Sequence, residues 1–192
     1  MQSGRAVRTA ITSCFGRALR LSVLMPMCAG MAANAAPVRI VAIGASNTHG
    51  WYIGNQGAYP AQLQDLLRAR GTDARITNAG VPFETTAMML RRIDRDVPNG
   101  TNIVIIQPGS NDLRFFGTLQ QRAANVAEMA RRLRARSIKV IVYDEQIPLR
   151  YYTLDFIHWT REGHAMLAAA LLPRVVATLD GPPPPSADTN QH

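Results

Sequence analysis

Cysteine is the first scarcity: the 192 residues hold two, Cys14 and Cys28, both in the first thirty-six positions. Everything after them is cysteine-free, which excludes a disulfide framework and thiol chemistry there. Lysine is almost as rare, since Lys139 is the only one and arginine supplies the remaining positive charge. No glycine-rich loop carries a lysine, which argues against a nucleotide-handling enzyme. No apolar run reaches the ~18 residues of a membrane span, so no stable membrane insertion is expected. Hydrophobic residues still make up 47% of the chain, enough for a sizeable core in one domain.

The start of the chain has no acidic residue. Arg5, Arg8, Arg17 and Arg20 precede a short apolar run over residues 21–31, followed by Ala33-Asn34-Ala35, a small-x-small cleavage pattern. Residues 1–36 therefore read as a secretory signal peptide, with a transit peptide as the alternative. Without them the charge is 17 basic against 13 acidic residues, a net +4 rather than +8. Arg131, Arg132, Arg134 and Arg136 read as a solvated helix face, and no nucleic-acid motif accompanies them, so no nucleic-acid partner is expected.

The rest alternates strands and helices. Val38-Arg39-Ile40-Val41-Ala42-Ile43 is β-branched and apolar on both faces, and it ends in Gly44-Ala45-Ser46. A helix opens at Tyr59-Pro60, carries Leu63, Leu66 and Leu67, and stops at Gly71. A short strand over 74–77 leads into a turn at Asn78-Ala79-Gly80-Val81-Pro82, and a helix over 85–95 carries Met89, Leu90 and Ile93. Strands are expected at 102–107 and 138–143, with a helix over 118–136 between them. Thr160 caps a last helix that runs to about Leu179, and residues 181–192 begin with prolines and read as a disordered tail. This order implies a parallel sheet of four to five strands with helices on both faces, over residues 37–180. In such sheets ligands bind beyond the carboxyl ends of the strands.

Three stretches converge on that edge. Ser46 follows the first strand, where its hydroxyl can attack a carbonyl, cap the next helix or bind a phosphate. Asn111, in Gly109-Ser110-Asn111-Asp112 after the third strand, can aim an amide N–H at a developing oxyanion. Asp155 stands three residues before His158, where it can meet the imidazole, fix its tautomer and leave the other nitrogen to take the serine proton. His158 and His164 lie six positions apart and would face away from each other on a helix, so no metal site is expected.

Gly44-Ala45-Ser46-Asn47-Thr48, Asn78-Ala79-Gly80-Val81, Gly109-Ser110-Asn111-Asp112 and Asp155-Phe156-Ile157-His158 together resemble the four blocks of the SGNH hydrolases, or GDSL esterases and lipases. The likeness is greatest to their exported bacterial arylesterases, lysophospholipases and acyl-CoA thioesterases, and it runs from about Val38 to Leu179. It implies a three-layer flavodoxin-like α/β fold and a cofactor-free serine esterase or thioesterase, periplasmic or secreted. Its substrate would be a small ester or thioester of short to medium acyl chain. Ser46 would be the nucleophile, His158 the base and then acid, and Asp155 its partner. The backbone N–H of Ser46 and the Asn111 side chain would belong to the oxyanion hole.

Three departures qualify the likeness. Ala45 replaces the aspartate of the Gly-Asp-Ser block. The family's oxyanion glycine aligns with Phe83, which resists positive φ, and leaves Gly80 as a substitute donor if the loop shifts. Only seven residues separate Ile147 from Asp155, where relatives fit a further helix and strand, so the sheet has four strands or a second copy in a homo-oligomer supplies the wall. Trp51, Phe83, Phe115 and Trp159 follow strand ends and are candidates for an apolar acyl pocket. The rival readings are a catalytically impaired binding protein on this scaffold, and an esterase of acetylated carbohydrate.

Overall fold

The computed structural model describes residues 36–182. The leader with both cysteines and nearly all of the proline-rich tail lie outside the described residues. Four parallel strands form one sheet in the order β2-β1-β3-β4: β1 (Val38–Gly44), β2 (Ala74–Gly80), β3 (Ile103–Gln107) and β4 (Lys139–Val142). The helices are α1 (Ser46–His49), α2 (Tyr59–Ala69), α3 (Thr86–Asp96), α4 (Asn111–Arg114), α5 (Leu119–Ala135) and α6 (Arg161–Asp180).

Alternation along the strands builds two cores. Ile40, Ala42, Ile103 and Ile105 face Leu63 and Leu67 of α2 and Leu167 and Leu171 of α6. Val41, Ile43, Val104 and Ile106 face Met89 and Ile93 of α3 and Met129 and Leu133 of α5. Successive side chains of a strand point to opposite faces, so a strand clad by helices on both sides must be apolar throughout. That is why β3 is buried at every residue.

The chain leaves β1 for β2 on one side and reaches β3 on the other, so the strand order reverses between β1 and β3. The crevice above their carboxyl ends is where such sheets hold ligands. Among the described residues the sheet has four strands, the lower end of the expected range. At the β4 edge the Val142 carbonyl points away from β3 and accepts a hydrogen bond from Arg174 of α6 (2.8 Å). That guanidinium occupies part of the edge where another strand would pair.

β2 runs three residues further than expected. Asn78 to Gly80 pair with Ala42 to Gly44 instead of forming a turn. Asn78 Nδ2 donates to the Thr48 carbonyl and to Asn55 Oδ1 (2.7 Å each), so its polar side chain is satisfied above the strand. A Cβ on Gly80 would collide with the His49 backbone nitrogen, so only glycine lets α1 lie this close.

Candidate active site

Ser46 opens α1 immediately beyond β1, with Ala45 as the capping residue, and is 8% exposed. A Cβ on Gly44 would collide with Thr48 Oγ1, so the close turn from strand into helix requires glycine there. Thr48 is buried and donates to Gln107 Oε1 of β3 (3.2 Å), tying α1 to the neighbouring strand. Ala45 itself is buried in the core on the α3–α5 side of the sheet. An apolar residue suits that position, where an aspartate would need buried partners.

Asp155 and His158 meet as their spacing predicts. Asp155 Oδ2 lies 2.5 Å from His158 Nδ1. The other oxygen, Oδ1, accepts from the backbone N–H of Ile157 (2.9 Å) and His158 (3.0 Å) and from the Thr153 hydroxyl (2.7 Å). Desolvation pushes this carboxyl up, but the hydrogen bonds from His158, Thr153 and Ile157 outweigh it and hold it well below the usual carboxylate range. An ionised Asp155 keeps Nδ1 protonated and leaves Nε2 as the acceptor. The His158 ring is 8% exposed by residue, stacked on Trp51 (5.7 Å between centroids) and met edge-on by Tyr52 (5.2 Å).

Asn47, next to Ser46, reaches the histidine's segment. Its Nδ2 donates to the Ile157 carbonyl (3.0 Å) and its Oδ1 accepts from the Trp159 N–H (3.1 Å). The nucleophile turn and the histidine loop, 110 positions apart, are thus fastened together. Among the described residues no hydrogen bond joins Ser46 Oγ to the imidazole directly. Bonds of that kind commonly tighten only when substrate binds.

The third member stands on a separate frame. Asn111 Nδ2 donates to the Glu84 carbonyl (2.9 Å), so the loop after β2 and the start of α4 are joined. Amide nitrogen carries two donors, which leaves Asn111 a second N–H. Asp112 is buried and holds Thr86 of α3 through its backbone N–H (3.0 Å) and hydroxyl (2.6 Å). The Glu84 carboxylate accepts from Arg92 Nε (2.7 Å). Arg92, 6% exposed, also donates to the Ala79 carbonyl at the end of β2 (2.8 Å) and to Asp96 (2.6 Å). Nothing in the sequence reading pointed to Arg92 or Glu84. The available signal was a charge lying beside Met89 and Ile93 on the apolar stripe of α3.

Two expectations change. Gly80 is no free donor, because its N–H is already given to Asn78 Oδ1 (2.9 Å). Phe83 adopts the left-handed backbone that glycine would favour, with φ +66°. Among the described residues its N–H has no hydrogen-bond partner, so unlike that of Gly80 it is open to an incoming acceptor. Its ring, 60% exposed, stands edge-on to Trp51 (5.4 Å).

The aromatics divide. Trp51 stacks on the histidine, and Phe83 stands against Trp51. Trp159 is buried in the core on the α2–α6 side and also lines a cleft of about 430 Å³ with Asn47, Gln107, Ser110, Arg122 and Tyr152. Arg122 is paired there with Asp144 and donates to the Gly109 carbonyl (2.9 Å), so this side is polar. Phe115 lies instead beside Thr85 and Asp112 in a different hollow from the one that Trp159 lines. His164 is fully buried, its Nδ1 accepting from the Tyr59 N–H (3.2 Å), and serves packing.

Known proteins resemble this chain to different extents. The model of the GDSL-like lipase/acylhydrolase family matches residues 42–190. The esterase TesA of Pseudomonas aeruginosa is 32% identical over 112 residues, covering 57% of this chain and 51% of that protein. The arylesterase of Vibrio mimicus is 26% identical over 133 residues, 68% of this chain and 66% of that one. The matches thus span about half of the first relative and just under two thirds of the second. Among solved structures, the psychrotrophic esterase EstA of Pseudoalteromonas sp. superposes with a TM-score of 0.65 at 15% identity, covering 74% of this chain and 99% of that one. A crystal structure of TesA superposes with a TM-score of 0.63 at 22% identity, covering 74% and 98%. At those identities the likeness is one of fold.

Proposed function

The chain belongs to the GDSL-like lipase/acylhydrolase family, and from that membership and the geometry above we propose that it hydrolyses carboxylic esters and thioesters through an acyl-serine intermediate. Ser46 Oγ attacks the carbonyl carbon while His158 Nε2 takes its proton. Asp155 holds the resulting imidazolium in place. The carbonyl oxygen becomes an oxyanion and meets the backbone N–H of Ser46, that of Phe83 and the second N–H of Asn111. The bond to the leaving oxygen or sulfur breaks, and His158 passes its proton there. Water then attacks the acyl-serine, with His158 again as base, and frees the acid and Ser46.

The observation that carries this reading is the fastening of Asn47, the neighbour of Ser46, to both sides of a histidine already paired with Asp155. Phe83's left-handed backbone supports catalysis over the impaired-scaffold alternative, since it offers the donor that glycine offers elsewhere. The polar cleft of Gln107, Ser110 and Arg122 favours a hydroxylated leaving group, which keeps acetylated carbohydrate as the second substrate reading. The basic leader and its small-x-small site support export, which the N-terminal residue of protein recovered from the periplasm or medium would test.

Ser46→Ala is expected to lower turnover of p-nitrophenyl acetate and butyrate by at least ~10³-fold with the fold intact. Undiminished turnover in that variant overturns the assignment. Parallel assays with acetylated sugars and acyl chains of increasing length decide between the substrate readings.

A further inference from the structure

Resting on the hydrolase reading, we propose that Asn47 is a positioning residue that sets the base on the nucleophile. Its side-chain amide gives Nδ2–H to the carbonyl of Ile157 and takes the N–H of Trp159, the two backbone groups that flank His158. In a parallel sheet one residue bridges the carbonyl before and the N–H after its neighbour in the same way. Asn47 thus does with a side chain what an adjoining strand would do with its backbone. Asparagine presents a donor and an acceptor in one short planar group, and no other side chain of that length does so.

The loop it grips is rigid within itself. Thr153 gives its N–H to the His158 carbonyl (2.7 Å), and Asp155 Oδ1 collects three donors from the same segment. None of those bonds reaches the turn after β1. Among the described residues, the two made by Asn47 are the hydrogen bonds that join residues 153–159 to residues 45–58. Ring contacts of Trp51 and Tyr52 with His158 add surface but set no hydrogen-bond register. Loss of Asn47 therefore leaves the Asp155–His158 pair whole and lets it slide as a unit relative to Ser46. One peptide bond separates Asn47 from Ser46, so with Asn47 present the slack is confined to its own two side-chain torsions.

A slide of this kind acts on the reaction step, and p-nitrophenyl butyrate, whose leaving group carries no hydroxyl for the polar cleft that Asn47 also lines, reads it with little change in binding. A displacement near 1 Å at reacting groups costs on the order of a hundredfold in rate. Asn47→Leu keeps the number and branching of side-chain heavy atoms and removes both bonds. Asn47→Asp keeps the acceptor for Trp159 and sets an oxygen against the Ile157 carbonyl.

The test measures kcat and KM for p-nitrophenyl butyrate below the melting temperature of each variant, together with hydrogen exchange at the Trp159 and Thr153 amides. For Asn47→Leu, kcat is expected to fall about tenfold to a hundredfold with KM within about twofold, and Asn47→Asp to fall between it and the parent. Trp159 N–H should exchange faster in Asn47→Leu while Thr153 N–H keeps its protection. A folded Asn47→Leu with unchanged kcat, or with Trp159 N–H as protected as before, overturns the proposal. Should Asn47→Leu not fold, Asn47→Asp decides by the same criteria. A parent protein without ester turnover would sink the hydrolase reading instead, and the exchange measurement would still decide whether Asn47 holds the loop.

Discussion

At the scale of single residues the site is a set of polar groups held in demanding conformations. Phe83 is the clearest, because a phenylalanine at positive φ costs about 1–2 kcal/mol. In the proposed mechanism it contributes only its backbone N–H to the oxyanion site, so the side chain should be dispensable for the reaction step. Phe83→Gly relieves the strain and gives up the ring contact with Trp51, worth about 1 kcal/mol. The two nearly cancel in stability. Steady-state kinetics should show kcat within about threefold of the parent and a raised KM, the pattern of lost substrate binding alone. A tenfold loss of kcat would instead give the ring a role in the reaction step. The Asp155–His158 pair was legible in the sequence because both partners lie within one local turn. Asn47 was not, since nothing in its neighbourhood of the chain marks a partner 110 positions away.

Elements carry these residues into place. The strands were readable because β-branched runs clad on both faces leave little else for the sequence to be. The end of β2 was misread as a turn because Asn-Ala-Gly is turn chemistry when considered alone. Its asparagine is instead satisfied by Thr48 and Asn55, and its glycine admits α1. On α3, a buried Arg92 joins the end of β2 to Glu84, whose carbonyl receives Asn111. Such a residue is unreadable from sequence, because charges on helices are solvated in most cases. Arg92→Met leaves the Glu84 carboxylate buried and unpaired, which destabilises by roughly 3–5 kcal/mol. Urea unfolding should show the loss, and the double variant Arg92→Met with Glu84→Gln should regain part of it. No change in the urea midpoint of Arg92→Met would show that the pair bears no weight.

For the whole molecule, two cores on opposite faces leave one open edge, beyond the carboxyl ends of β1 and β3 where the strand order reverses, and the chemistry collects there. The α2–α6 core contains an ionisable group. Burial, with Arg161 nearby, pushes the His164 imidazole down to about 4. The unfolded chain protonates it near pH 6.5. Between those values the unfolded state binds a proton that the folded state refuses, so stability is complete above about pH 6.5 and declines as pH falls toward 4, by up to ~3 kcal/mol. His164→Gln keeps an acceptor for Tyr59 and removes that titration. Its urea midpoint should vary less between pH 7 and 4.5 than the parent's, and parallel curves would refute the assignment.

The claim on which all of this stands is convergence of distant segments on Ser46. Mass-spectrometric mapping of a fluorophosphonate adduct tests it most directly. One adduct per chain is expected, on the peptide containing Ser46, formed at the parent rate in His164→Gln and lost or greatly slowed in His158→Ala. An adduct on another residue, or undiminished labelling of Ser46 in His158→Ala, would contradict it.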